Sequence, residues 1–163
     1  VHNLLVGFGL RDNIRIIASG KVTTGFKMAR LMALGADVCS SARAMMFALG
    51  CIQARRCNAN DCPTGVATQD RNLISGLVVQ DKRKRVCRYH AATLESLMEL
   101  VAATGLVSPL ELRPHHIYRR VEDYKVQTFE EIYEWLEPCQ LLAADGISPQ
   151  YATMLEGTTA DSF

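Results

Sequence analysis

Three cysteines, Cys51, Cys57 and Cys62, fall within one short stretch, GCIQARRCNANDCPTGVATQD, from Gly50 to Asp70, with a proline directly after the last. Their spacing is C-x5-C-x4-C. It lacks the CxxC-type pairs and the fourth ligand usual for structural zinc, and no histidine lies in the stretch. Thiolates converging from an irregular loop are how iron–sulfur clusters are held. Arg55 and Arg56 beside the thiols would offset a cluster's negative charge. Spacing alone favours an iron–sulfur cluster, leaves zinc and three free thiols open, and does not separate a three-iron from a four-iron cluster.

Two short runs upstream offer a second chemistry. Ser19-Gly20-Lys21 supplies backbone N–H groups, a hydroxyl and a cation, and the helix start expected at Thr24-Gly25 adds a positive dipole end. Ser41-Ala42-Arg43 adds a guanidinium before another expected helix. Side by side, two such loops would grip a phosphate, with Arg43 as the geometrically specific donor. The competing reading is ordinary turn chemistry, with Lys21 and Arg43 as surface charges.

Other residues carry less. His115 and His116 are adjacent, diverge on any regular element, and are read as loop or capping residues; His90 is read as partly buried helix packing. Cys39, Cys87 and Cys139 are isolated and are read as packed or surface thiols. The run Lys82 to Arg85 has no interleaved aromatic residues to stack on bases, so it is read as solvated helix turns and not as a nucleic-acid surface. There is no Ser/His/Asp constellation, Walker motif or H-E-x-x-H motif.

The elements that would position these groups are legible at the amino end. His2 to Leu10 reads as the end of a helix and Arg11 to Asn13 as a turn. Ile14 to Ala18 reads as a strand. Thr24 caps a helix running to Leu34, with Gly35 in the left-handed position after it. Ala36 to Ser40 is a second strand, and Ala44 to Leu49 a short apolar helix. Strand, loop, helix, repeated, predicts a parallel sheet with right-handed crossovers, whose sites form at the carboxyl ends of the strands. Both phosphate-type runs sit there, as does the phosphate site after the last two strands of many (β/α)8 barrels.

Beyond the cysteines, residues 63 to 80 read as irregular, and Asp81 caps a long helix to Thr104, ended by Gly105. Leu94, Leu97, Met98 and Val101 form its expected buried stripe. Ser108-Pro109-x-Glu111 is a capping box for a short helix ending before Pro114. Thr128 with Glu131 is another, for a helix reaching Leu136. Asp145-Gly146 is read as a turn, and the tail from Ala143 to Phe163 shows little periodicity.

Bulk composition agrees with a soluble globular protein: 163 residues, 48% apolar, 21% charged, net charge +1. No apolar run approaches a membrane span. Nothing global points to nucleic acid or a membrane surface. Six cysteines, half of them in one loop, favour a metal or cluster site in a reducing compartment over a disulfide scaffold, so the expected location is cytoplasmic. The chain opens on Val1, and a fragment or C-terminal portion is expected.

The run ASGKVTTGFKMARLMALGADVCSSARAMMFALGCIQARRCNANDCPTGVATQD closely resembles the end of the FMN-binding synthase domain of the glutamate synthase family, large-subunit type. The likeness extends from about His2 to LRPHHI, Leu112 to Ile117. The part after the cysteine loop looks most like the shorter relatives, which lack the amidotransferase and the C-terminal β-helix. The resemblance implies an α/β fold that is the C-terminal part of a (β/α)8 TIM barrel, its last two βα units. An iron–sulfur loop and a helical C-terminal extension would follow. It divides the chain into residues 1–70, barrel end with cysteine loop, and 71–163, the extension.

The resemblance further implies that Ser19, Gly20 and Lys21 follow the seventh strand, that Ala42 and Arg43 follow the eighth, and that together they bind the FMN phosphate. Cys51, Cys57 and Cys62 match the ligands of the family's [3Fe-4S] cluster. The family reaction makes L-glutamate from 2-oxoglutarate and ammonia, or from glutamine through a separate amidotransferase, using hydride from reduced FMN. Electrons come from ferredoxin or an NAD(P)H-oxidising subunit. A related enzyme acting on another amino or methylamino donor, or a non-catalytic Fe–S or phosphate-binding fragment, is the alternative. A barrel needs ~250 residues, so the flavin-ring and 2-oxoglutarate residues are expected upstream of this chain. The chain alone is expected to be inactive and, cut from a barrel, poorly soluble.

Overall fold

The structure is a computed structural model that describes residues 1–143, 147–156 and 158. Helix α1 (His2–Gly7) opens the chain, a 3-10 turn (Arg11–Asn13) follows, and β1 is Ile17–Ala18. Helix α2 (Gly25–Ala33) leads to β2 (Val38–Cys39), and α3 (Arg43–Leu49) follows. β1 and β2 pair in parallel, Ile17 opposite Val38 and Ala18 opposite Cys39. The expected strand–helix alternation is therefore present, in shorter strands than the sequence predicts. Ile16 N–H is taken by the Asp37 carboxylate at 2.7 Å rather than by a ladder carbonyl, and Ala36 N–H still closes the end of α2 on Leu31 O.

Local chemistry sets the ends of α2. Thr24 Oγ1 accepts from Lys27 N–H at 3.3 Å, satisfying one of the N–H groups the first turn leaves open. Gly35, at φ +99°, ends it, and a Cβ there would fall within 2.1 Å of the His2 ring.

After the cysteine loop come α4 (Arg71–Ile74) and the long α5 (Val79–Ala103). α5 starts before Asp81, which lies in its first turn and does not cap it; Val78 occupies the N-cap position without a side-chain bond. Leu97 and Val101 are buried against Ala29 and Ala33 of α2, with Leu112, Ile117 and Phe129 completing the core. Leu94 and Met98, expected in the same stripe, are exposed at 39% and 43%. The small face of α2 covers only a narrow band of α5. His90 is exposed as well.

The carboxyl-terminal part is less helical than expected. Ser108 does accept from Leu110 N–H, but Glu111 reaches Val107 N–H, and the result is a 3-10 turn, Pro109–Glu111. A second such turn, Pro114–His116, is closed by His116 Nδ1 accepting from Arg113 N–H at 2.9 Å, a capping role. An antiparallel hairpin, β3 (Tyr118–Glu122) and β4 (Lys125–Thr128), follows where no strand was expected. The Thr128–Glu131 capping box is formed and starts α6 (Phe129–Ile132). α6 stops short of Leu136 because residues 134 to 136 turn to α1: Asn3 Nδ2 donates to Glu134 O at 2.9 Å, and Asn3 Oδ1 accepts from Leu136 N–H at 2.8 Å. Helix α7 (Pro149–Glu156) buries Tyr151 beside Leu136 and Leu141. The turn expected at Asp145-Gly146 lies outside the described residues. Among those described, no helix is long and apolar enough to cross a membrane.

Candidate functional site

The parallel pairing of β1 and β2 sets their carboxyl-end loops side by side. Ser40 N–H donates to Ala18 O at 2.7 Å, and Ser41 Oγ donates to Val22 O at 2.6 Å, tying the two loops together. Ser19, Gly20, Lys21, Ala42 and Arg43 are all exposed on these loops. Gly20 and Lys21 have φ of +102° and +56°, a sharp turn that favours glycine at its first position. A Cβ at Gly20 would meet nothing within 4 Å, so this side of the loop is open. Among the described residues the N–H groups of Ser19, Gly20 and Lys21 make no hydrogen bond within the protein. Three free N–H groups, a hydroxyl and an ammonium in one loop, with Arg43 on the next, fit an anionic group such as a phosphate monoester.

Ala42 is the N-cap of α3 and makes no side-chain cap. Its place in the site is backbone. Two ties to this region have no sequence signal that would single them out. Lys27 Nζ donates to Thr23 Oγ1 at 2.8 Å, and Tyr89, in mid-α5, donates its hydroxyl to Thr23 O at 2.9 Å.

The cysteine loop begins where α3 ends. Gly50, at φ +107°, is the left-handed C-cap, and Cys51 N–H returns to Met46 O. Residues 52 to 60 are exposed, and Gln53, Arg55 and Asn60 take positive φ. From Asn60 onward the loop is closed. Asn60 Oδ1 accepts from Gln69 N–H at 2.7 Å, and Thr68 Oγ1 donates to Asn60 O at 2.5 Å. Asp61 pairs with Thr68 in an antiparallel bridge and with the Arg56 guanidinium in an ion pair. Gly65 must be glycine here: it has φ +73°, and a Cβ would lie 2.2 Å from Leu73 O.

The three thiols are in unlike surroundings. Cys57 is exposed, Cys51 half-buried and Cys62 buried. The Thr64 hydroxyl, 3.4 Å from Cys62 Sγ, followed by the N–H groups of Ala67, Thr64 and Val66, pulls the Cys62 thiol down from 9.0 to about 7, against the opposing effect of burial. The thiolate, the form that ligates metal, is thus more accessible at Cys62 than in an ordinary thiol. Among the described residues no three His, Cys, Asp or Glu side chains gather as a metal-holding group, so Cys51 and Cys57 do not meet Cys62 around a common point. The loop as it stands fits a cluster at one ligand of three. Cys39, the isolated thiol beside α2, behaves oppositely, its pKa raised by burial.

Residues 1–107 match the family model described as the conserved region in glutamate synthase. The chain is 43% identical over 132 residues to the glutamate synthase large subunit-like protein YerD of Bacillus subtilis, covering 81% of this chain and 25% of that protein. It is 37% identical over 105 residues to the archaeal glutamate synthase [NADPH] of Methanocaldococcus jannaschii, 64% of this chain and 21% of that one. With ferredoxin-dependent glutamate synthase 2 of Synechocystis it shares 40% identity over 73 residues, 45% of this chain and 5% of that protein. The chain thus spans a quarter or less of these relatives. With two thirds of its length inside the family model, the chain belongs to the glutamate synthase family.

Proposed function

We propose that this chain is the carboxyl-terminal part of a flavin and iron–sulfur oxidoreductase that makes L-glutamate from 2-oxoglutarate and ammonia, the ammonia supplied free or from glutamine by a separate amidotransferase. One observation carries the reading. Two adjoining strand-end loops carry the free N–H groups of Ser19 to Lys21 and the exposed cations Lys21 and Arg43, and the three-cysteine loop follows directly, within a stretch that matches the glutamate synthase family.

In this reading β1 and β2 are the last two strands of a (β/α)8 barrel. Ile17 and Val38, paired across the two strands and exposed at 67% and 51%, are apolar residues that further strands of a barrel would cover. Residues 1–70 form the barrel end and cysteine loop, and residues 71–163 an extension that buttresses them. Ser19, Gly20, Lys21, Ala42 and Arg43 hold the FMN phosphate. Cys51, Cys57 and Cys62 hold a [3Fe-4S] cluster, which requires the exposed segment 52–60 to close toward Cys62. When bound, FMN supplies the hydride chemistry. This chain's own part is to fix the phosphate, and with it the flavin's position, and to offer a ready thiolate at Cys62. Ferredoxin or an NAD(P)H-oxidising subunit delivers the electrons, in the cytoplasm.

The test is an assay on the full-length protein, with reduced ferredoxin or a chemical reductant, ammonia and 2-oxoglutarate. Glutamate formation that depends on 2-oxoglutarate supports the proposal. Turnover of a different amino or methylamino compound, with none of 2-oxoglutarate, overturns it in favour of a related activity.

A further inference from the structure

Helix α5 touches three earlier segments at seven-residue intervals. Lys82 lies over Gly50, where a Cβ would come within 2.9 Å of its Nζ. Tyr89 bonds Thr23 O. Ser96 and Leu97 bring their backbone so near Gly25 that a Cβ there would sit 2.9 Å from Ser96 C and 2.6 Å from Leu97 N. Seven residues are nearly two helical turns, so positions 82, 89 and 96 share one face. That face meets the entrance to the cysteine loop, the segment just after the phosphate loop and the start of α2 in turn.

The middle contact matters most. The turn Ser19–Lys21 has no hydrogen bond from its own N–H groups, so its shape is set by its two flanks, Ala18 of β1 before it and the segment that follows it. That segment is held at two carbonyls: Val22 O by Ser41, within the strand–helix units, and Thr23 O by Tyr89, from outside them. Thr23 also takes Lys27 on its hydroxyl and immediately precedes the α2 cap.

We propose that Tyr89 is a positioning residue for the phosphate loop. Its hydroxyl fixes the Thr23 carbonyl, and so fixes the direction in which the Ser19–Lys21 N–H groups and the start of α2 face a bound phosphate. The inference rests on the reading of these loops as the FMN phosphate site. It places a determinant of flavin affinity on the helix beyond the cysteine loop, far from the phosphate-loop sequence.

Tyr89→Phe keeps the ring and removes this one bond. The experiment titrates flavin-stripped full-length protein with FMN and with riboflavin, which carries the same ring system without the phosphate. Wild type is expected to prefer FMN. Y89F is expected to lose about 3- to 10-fold in FMN affinity, the range for one net hydrogen bond, with riboflavin affinity unchanged. A general packing defect weakens both ligands alike and leaves their ratio intact, so the ratio is the readout. An unchanged ratio in Y89F overturns the inference and leaves the phosphate site standing. A wild type with no preference for FMN overturns both.

Discussion

Cys62 is a thiol whose neighbours already favour its charged form. The donors come from a tight turn, closed by Gly65 N–H on Cys62 O, that wraps the Cys62–Ala67 backbone around the sulfur. Residue types and spacing single out the three cysteines, but they do not distinguish among them, because the distinction depends on which N–H groups that turn aims inward. Thr64→Val removes the first of these donors and is expected to move the Cys62 titration midpoint from about 7 up toward that of an ordinary thiol. The carbon NMR shift of Cys62 Cβ against pH reads this directly; an unmoved midpoint would show that the backbone N–H groups suffice. This titration is linked to folding stability. With a depressed folded-state value, the wild type's contribution is fully present above the unfolded thiol value of 9.0 and is lost as pH falls through about 7. Thr64→Val should therefore reduce the rise in stability across that window.

At the scale of elements, what the sequence makes legible is what local chemistry encodes. Thr24, Gly35 and the Thr128–Glu131 box are set by their own neighbours and stand where their residue types place them. The hairpin was illegible for a physical reason. Every residue of β3 is exposed, so its residues show no apolar alternation to mark a buried face. α7 is similarly muted, with Tyr151 buried and Leu155 half-buried on an eight-residue helix. Helix packing is also invisible to periodicity where a glycine permits it. Gly25 lets α2 approach the α5 backbone directly, and Gly25→Ala forces a Cβ against Leu97 N. Main chain cannot swing aside as a side-chain tip can, so the substitution is expected to cost about 1–3 kcal/mol. Denaturant unfolding measures it; a neutral result would mean that α2 can slide along α5 without penalty.

The whole molecule is closed by contacts between its two ends. Asn3 serves both Glu134 O and Leu136 N–H, Gly7 is pressed by Leu136 and Leu141, and Cys139 N–H donates to Val6 O. These partners lie 129 to 134 residues apart in sequence, and no local pattern records such pairings. Asn3→Ala leaves Leu136 N–H without its acceptor, at a cost of about 1–3 kcal/mol. It is expected to loosen residues 134–143 and α7 before the α2–α5 core. Hydrogen exchange should show faster exchange at Leu136 with Val101 unchanged; equal acceleration at both would mean that the ends and the core unfold as one unit.

The candidate site divides along the same line. The loops and thiols read as cofactor contacts stand out by residue type and spacing, whereas Tyr89 lies between the solvated cations Lys82 to Arg85 and the apolar stripe that begins at Leu94, where no pattern marks it. The central claim is that this chain helps to hold an FMN phosphate at Ser19–Lys21 and Ala42–Arg43, and an iron–sulfur cluster at Cys51, Cys57 and Cys62. The flavin, iron and sulfide content of the full-length protein, purified without oxygen as wild type and as Cys57→Ser, tests it most directly. Wild type is predicted to carry FMN with the iron and sulfide of a [3Fe-4S] cluster, and Cys57→Ser to lose iron and sulfide while retaining flavin. A wild type without iron and sulfide, or a Cys57→Ser protein that keeps both in full, would contradict the account.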